Sequence, residues 1–254
     1  MTERTLYKTI VISDIHLGSP HSGVREVSDF LNSVDCDKLI MDGDIIDGWQ
    51  LENSRDQKWT PMHSNFFKVI FDMVERHNTE IIYIIGNHDD FLDRMAPVKM
   101  FGMKILNEYI LEECGKKYVV IHGHAFDSIT SRFRFIARWG DIAYNALIRF
   151  NNIWNRARVR QGRPYYSLSQ VIKQKVKEAV SAISGFEEDL EFYAKAKGCD
   201  GIICGHIHHP EDKMLHGIHY LNSGDWVESM TALAEDAEGI WRIIRYRDKA
   251  LQLG

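Results

Sequence analysis

Four cysteines and five prolines are all that 254 residues hold of either. Cys36, Cys114, Cys199 and Cys204 stand far apart with no CxxC pair, which excludes a zinc knuckle and a disulfide framework and implies reduced thiols in a cytosolic compartment. No Gly/Ser-rich or Pro-rich tract separates two halves, and no internal repeat is present. No apolar run approaches the ~20 residues that span a bilayer, and Glu3, Arg4 and Lys8 precede only a short apolar block. Neither a membrane span nor a signal peptide is expected, so any membrane contact would be peripheral. Positive charge is not in excess either: 31 Lys plus Arg against 36 Asp plus Glu give a formal charge of -5, which excludes a uniformly basic nucleic-acid binder. The remaining composition, 44% hydrophobic and 26% charged, suits a globular protein able to bury a core.

The hydrophobic pattern alternates between strand and helix. Thr9 to Ser13 is β-branched and too short for a helix, so it reads as a buried strand ending at Asp14. Lys38 to Met41 runs into Asp42-Gly43-Asp44, and Glu80 to Ile85 runs into Gly86-Asn87-His88-Asp89. Val24 to Leu31 and Asn65 to Arg76 carry helix-spaced apolar residues, so the first half predicts an α/β layered domain. Glu108 to Glu113 and Lys117 to Ile121 flank Cys114-Gly115-Lys116 as a hairpin. Gly201 to Cys204, Lys213 to Leu221, Met230 to Ala234 and Ile240 to Tyr246 are strand-like, and the second half is expected to close with antiparallel sheet.

Residues 128 to 177 break the rhythm. They hold eleven Arg or Lys against the single acid Asp141, a charge of +10, so the rest of the chain carries -15. Aromatic residues, Trp139, Tyr144, Trp154 and Tyr165 among them, interleave with these charges. The expectation is one domain over 1–254 with a basic, aromatic helical insertion over 128–185. An ordinary amphipathic hairpin with solvated Arg would show the same pattern. As a lid, its Arg138, Arg149, Arg156 and Arg160 would fork onto substrate phosphate. Trp49 and Trp59 fall in a polar loop after Asp47, placed to cover a pocket or a partner.

Strand ends supply, in order, Asp14-x-His16, Gly43-Asp44-x-x-Asp47, Gly86-Asn87-His88-Asp89, His122-Gly123-His124 and Gly205-His206-x-His208. A single His on a strand is more often a hydrogen-bonded core or surface residue, and Asp beside Gly is usually a turn former. Residues two apart on a strand share a face, however, so Asp14 with His16 and His206 with His208 can each point into one pocket. Ligand-binding residues in mixed sheets gather outside the carboxyl ends of strands, where all five clusters lie. Mixed His, Asp and Asn suit a borderline divalent ion, Mn first, with Fe or Zn as alternatives. His21, His63, His77, His216 and His219 lack partners at ligand spacing and read as surface or loop groups.

In this order the five clusters resemble the calcineurin-like metallophosphoesterases, whose fold is a sandwich of two mixed β-sheets flanked by helices. The likeness runs from Asp14 to His208, and Gly86-Asn87-His88-Asp89 with Gly205-His206-x-His208 are its specific blocks. It implies two divalent ions, one on Asp14, His16, Asp44 and His208 and the other on Asp44, Asn87, His122 and His206, with Asp44 bridging. A water shared between two such ions becomes a nucleophile for phosphorus. His88 would stabilise the transition state and protonate the leaving oxygen, with Asp47 fixing its tautomer unless Asp47 only caps a turn. His124 would touch substrate or stand behind His122.

Within that superfamily, the metal core with a helical insertion, and the run Gly86 to Leu92, are similar to UDP-2,3-diacylglucosamine pyrophosphatases of lipid A synthesis. Those enzymes release UMP and an acylated sugar phosphate at the inner membrane surface. That branch typically has Arg where His88 stands and Asp where His124 stands. A phosphate leaves without a proton, so Arg suffices there, whereas an alkoxide gains more from an acid such as His. The likeness therefore implies a phosphate-containing substrate, with a lipid-linked nucleotide as the first choice. The alternatives are a nucleotide or nucleic-acid phosphodiesterase, whose binding would weaken steeply with salt, and a non-catalytic protein-binding scaffold. Oligomeric state is left open by the sequence.

Overall fold

Burial with a period of two builds the central strands. In β1 (Thr5–Ile12), Ile10 and Ile12 enter one apolar core and Val11 enters another. In β2 (Val34–Asp42) the same split sets Leu39 and Met41 against Ile40, and in β3 (Glu80–Ile84) it sets Ile81 and Tyr83 against Ile82 and Ile84. Strands apolar on both faces must be covered on both. The computed structural model describes residues 4–53, 59–126 and 185–246 and shows both coverings.

Seven strands form the first sheet, in the order β12 (Trp241–Arg245), β11 (Thr231–Glu235), β1, β2, β3, β5 (Met103–Leu106), β4 (Val98–Met100). β1, β2, β3 and β5 run parallel, and β4, β11 and β12 run antiparallel to their neighbours. The second sheet has five strands, in the order β6 (Tyr109–Glu113), β7 (Lys116–Val120), β8 (Gly201–Cys204), β10 (Ile218–Asn222), β9 (Glu211–Leu215). Helices α1 (Val24–Asn32) and α3 (Pro61–His77) supply Val27, Phe30, Phe66 and Ile70 to the first core, beside Ile10, Leu39 and Tyr83. The second core joins the two sheets, pairing Val11, Ile40 and Ile82 with Leu111, Tyr118, Val120, Ile203 and Leu221. The fold is thus a sandwich of two mixed β-sheets with flanking helices.

Several local expectations change. Lys213 to Leu221 is not one strand: His216 and Gly217 both take positive φ, 44° and 94°, and the chain doubles back into β9 and β10. β8 lies parallel to both β7 and β10, so the second half is mixed rather than antiparallel. β4 and β5 went unforeseen because each is short and a left-handed Phe101-Gly102 turn separates them. Trp49 sits in a short helix, α2 (Gly48–Asn53), not in a loop. His63 is buried at the start of α3, where its Nδ1 accepts the Thr60 N–H at 3.1 Å in a capping box. His219 lies within β10 between the Tyr118 hydroxyl at 2.9 Å and Asp212 at 2.8 Å.

A further helix, α4, covers residues 185–196. The chain divides into two compact units, Met1–His124 with Leu190–Gly254, and Ala125–Asp189. Most of the second unit, and with it Arg138, Arg149, Arg156 and Arg160 of the expected insertion, lies outside the described residues. No helix among the described residues is long and apolar enough to cross a membrane. The four cysteines are free thiols.

Candidate metal centre

Five loops leave the carboxyl ends of β1, β2, β3, β7 and β8 and carry, respectively, Asp14 with His16, Asp44, Asn87 with His88, His122, and His206 with His208. The shared-face spacing of regular strands is not what aims them. Asp14, His16, Asp44, His206 and His208 all lie past the strands with φ of 52°, 53°, 53°, 64° and 55°. Left-handed backbone costs a non-glycine residue about 1–2 kcal/mol, and such residues gather where surrounding structure holds them for a function. Here the hold is backbone hydrogen bonding between loops: Asp14 N–H donates to Gly43 O at 3.0 Å, and His16 N–H to Asp44 O at 2.9 Å. Side chains complete it, with Asp44 Oδ1 accepting the His88 N–H at 2.8 Å and Asp14 Oδ2 accepting the His206 N–H at 3.0 Å.

Three overlapping sets of ligand-type atoms converge. Those of Asp14, His16 and His208 lie within 4.8 Å of one another, as do those of Asp44, His122 and His206, and a third set, His16, Asp44 and His88, shares a member with each of the first two. His208 Nε2 is 3.0 Å from Asp14 Oδ1, and His122 Nε2 is 3.3 Å from Asp44 Oδ2. Asp44 Oδ2 also stands 3.8 Å from His16 Nε2, so this oxygen faces both of the first two sets. Asp14 Oδ1, His16 Nε2, Asn87 Oδ1 and His122 Nε2 are buried and lack a hydrogen-bond partner among the described residues. An unpaired buried polar atom costs about 1–3 kcal/mol, so four at one place need a common partner. Divalent cations answer that need: all four atoms are lone-pair donors of the type that binds them. The His122 tautomer agrees, since Nδ1–H donates to Asp42 O at 2.8 Å and leaves the Nε2 lone pair directed at the centre.

The electrostatics point the same way. Burial disfavours a charged His122, yet the adjacent Asp44 and Asp14 carboxylates push its imidazole up to about 10. His208, also opposed by burial, is pushed up to about 9 by Asp14 and Asp225. Burial would raise the Asp14 and Asp44 carboxyls, but His208 beside the first and His122 beside the second hold both below the ordinary range. The cleft thus stabilises positive charge between its carboxylates.

His88 and Asp47 stand at the margin of this centre. His88 Nδ1 is 3.0 Å from Asp47 Oδ1, which also accepts the Gln50 N–H at 3.0 Å. Asp47 therefore both caps α2 and orients His88. Its Oδ2 is 3.7 Å from His16 Nδ1, so the carboxylate joins a residue of the first set to His88. Burial lowers the His88 pKa, but the bond to Asp47 and the charge of Asp44 outweigh it and raise the pKa above the usual value. His124 is exposed, its ring centroid 5.7 Å from His122 and 6.4 Å from His206, and belongs to none of these sets.

Two further residues support the centre: Asp225, which the sequence did not single out, and Asp89, which it named within a cluster without a role. Asp225 follows β10; its Oδ1 accepts the N–H groups of Val227, Glu228 and Ser229 at 2.7, 2.5 and 3.1 Å, and its Oδ2 lies 3.6 Å from His208 Nδ1. Asn222-Ser223-Gly224-Asp225 is a sixth polar cluster after a strand, hidden when that strand is drawn straight from Lys213. Asp89 accepts from Ile45 N, Ile46 N, Gly86 N and the Tyr83 hydroxyl at 3.2, 2.8, 3.2 and 2.7 Å, tying the loops that carry Asp44 and Asn87.

The chain is similar to proteins of known activity. It is 25% identical to the UDP-2,3-diacylglucosamine hydrolase of Shewanella baltica strain OS155 over 253 residues, 92% of this chain and 95% of that one. It is 28% identical to the [acyl-carrier-protein] phosphodiesterase PptH of Mycobacterium tuberculosis over 122 residues, 48% of this chain and 32% of that one. Among solved structures, the E. coli phosphoesterase YfcE aligns with a TM-score of 0.47 at 15% identity, covering 94% of this chain and 93% of that one. Residues 7–210, the stretch that supplies every one of the five ligand loops, match the model of the calcineurin-like phosphoesterases. With that match, a sandwich of two mixed sheets and histidine and carboxylate groups gathered after its strands, the chain belongs to the calcineurin-like phosphoesterase family.

Proposed function

We propose that this metal-dependent phosphoesterase cleaves a pyrophosphate or phosphodiester bond in a lipid-linked nucleotide, in the manner of a UDP-2,3-diacylglucosamine pyrophosphatase giving UMP and an acylated sugar phosphate. The observation that carries the reading is the set of buried lone-pair atoms on Asp14, His16, Asn87 and His122 that lack a hydrogen-bond partner among the described residues. Asp14, His16, Asp44 and His208 would hold one divalent ion, and Asp44, Asn87, His122 and His206 the other, Mn being the first choice. When bound, the ions supply Lewis acidity toward phosphate oxygens and lower the pKa of a nearby water.

The protein's own residues account for the remainder. A water oxygen, its proton passing to solvent, bonds to phosphorus as the bond to the leaving oxygen breaks. His88 gives its Nε2 proton to the leaving oxygen and is reprotonated from solvent, with Asp47 holding the opposite nitrogen at 3.0 Å. The likeness to the Shewanella hydrolase over 92% of the chain supports the lipid-linked nucleotide. The +10 segment supports it too, with Arg138, Arg149, Arg156 and Arg160 as phosphate contacts and with peripheral seating on the cytoplasmic face of the inner membrane.

A second reading, a nucleotide phosphodiesterase, is favoured by His88 itself, because an alkoxide leaving group needs the proton that a phosphate does not. One experiment separates the two: turnover of UDP-2,3-diacylglucosamine, nucleotide diesters and bis-aryl phosphates by the Mn-loaded protein. UMP release from the lipid substrate at the highest kcat/KM upholds the first reading. Preference for nucleotide diesters replaces it with the second, and no turnover of any of the three overturns both.

A further inference from the structure

The first turn after Asp47 places an indole against the imidazole of His88. The ring centroids of Trp49 and His88 are 4.2 Å apart with the planes at 35°, yet 45% of Trp49 is exposed. α2 is fixed to the core loops, so this placement is built rather than incidental. The Gly48 N–H donates to His88 O at 3.0 Å. Leu51 packs on Gly18 so closely that a Cβ there would lie 2.9 Å from Leu51 Cδ2. Phe91 flanks the same turn: a Cβ on Gly48 would meet its Cδ1 at 2.9 Å, and 46% of Phe91 is exposed. Two half-exposed aromatic side chains therefore stand at this turn, Trp49 against the His88 ring and Phe91 against Gly48.

We propose that Trp49, with Phe91 beside it, forms the subsite that receives the departing group, and that this subsite selects groups offering a flat apolar face, an aryl or sugar ring, over small alkyl ones. The inference rests on the hydrolytic reading of the centre. A group whose oxygen takes a proton from His88 lies next to that ring, and the half-exposed indole 4.2 Å from it is an aromatic surface within reach. Offset ring stacking contributes beyond buried area and corresponds to a preference of about five- to tenfold. Sugar rings present C–H faces to the same surface.

The test uses two non-hydrolysable probes, phenylphosphonate and methylphosphonate, bound to the Mn-loaded protein and measured by calorimetry alongside metal content. Wild type is expected to favour the phenyl compound about five- to tenfold. Trp49→Ala should bring the ratio close to one with metal content unchanged, and Trp49→Phe should restore most of it. A wild type without the preference, or a Trp49→Ala variant that keeps it, overturns the subsite. A Trp49-dependent preference in a protein that hydrolyses no ester upholds the subsite as a ligand site and overturns the hydrolytic reading alone.

Discussion

Gly205→Ala tests whether close packing behind the ligand loops, rather than ligand identity alone, sets the metal centre. A Cβ at this position would lie 2.5 Å from Ser13 Oγ, 2.6 Å from Asp14 Oδ2 and 2.7 Å from Ser13 Cβ, whereas ordinary contact begins at 3.4 Å. Relief therefore needs a displacement of about 1 Å. Ser13 and Asp14 are fully buried at the end of β1, and Asp14 Oδ2 already accepts from Ser13 Oγ at 2.5 Å and His206 N at 3.0 Å, so neither can swing aside alone. Overpacking of this kind costs about 1–3 kcal/mol of stability. A shift of ~1 Å in a ligand costs about 100-fold in rate. Melting temperature, Mn stoichiometry and kcat are measured on Gly205→Ala and on a control, Gly115→Ala, where φ is +75° and nothing lies within 4 Å of the added Cβ. The control should lose about 1–2 kcal/mol through left-handed strain and retain its metal and turnover. If Gly205→Ala keeps wild-type stoichiometry and a kcat within about threefold, far from the ~100-fold expected, the packing argument fails.

Three further outcomes are expected. His88→Ala should retain both metal ions and lose about 10²–10⁴ in kcat, most on substrates with basic leaving groups; an unchanged rate on an alkyl ester would remove His88 from the proton transfer. Asp225→Asn should weaken one ion, that of Asp14, His16 and His208, by about 10–100-fold while sparing the other, as titration calorimetry would resolve; equal loss at both would show Asp225 to be a general packing residue. Removing metal with a chelator should lower stability by about 2.7 kcal/mol for each ion lost, relative to protein at metal 100-fold above its Kd. In a thermal melt that is about 5–11 °C per ion, and an unchanged melting temperature would mean that no ion is bound in the folded state.

The short apolar runs of β1, β2 and β3 and the five Gly- or Asp-marked strand ends were legible in the sequence, because hydrophobic runs and turn chemistry are local properties. So were the residue types of the centre. The β9–β10 reversal was not, since an apolar run looks the same whether it goes straight or turns at His216-Gly217. Asp225 was lost with that turn, and its value depends on a contact with His208, seventeen residues earlier in the chain.

What the sequence by itself determined was therefore a layered α/β chain with candidate metal-ligating side chains after its strands. The tertiary structure alone decided how those side chains meet. Regular strands would have aimed Asp14 and His16, and His206 and His208, by alternation; the fold aims them through left-handed loops clasped by hydrogen bonds with neighbouring loops. The same holds for Asp47, whose single carboxylate caps a helix and orients His88, and for the Trp49 indole against that ring. Such geometry is set by contacts between residues distant in sequence, and no local pattern encodes which loop will stand beside which.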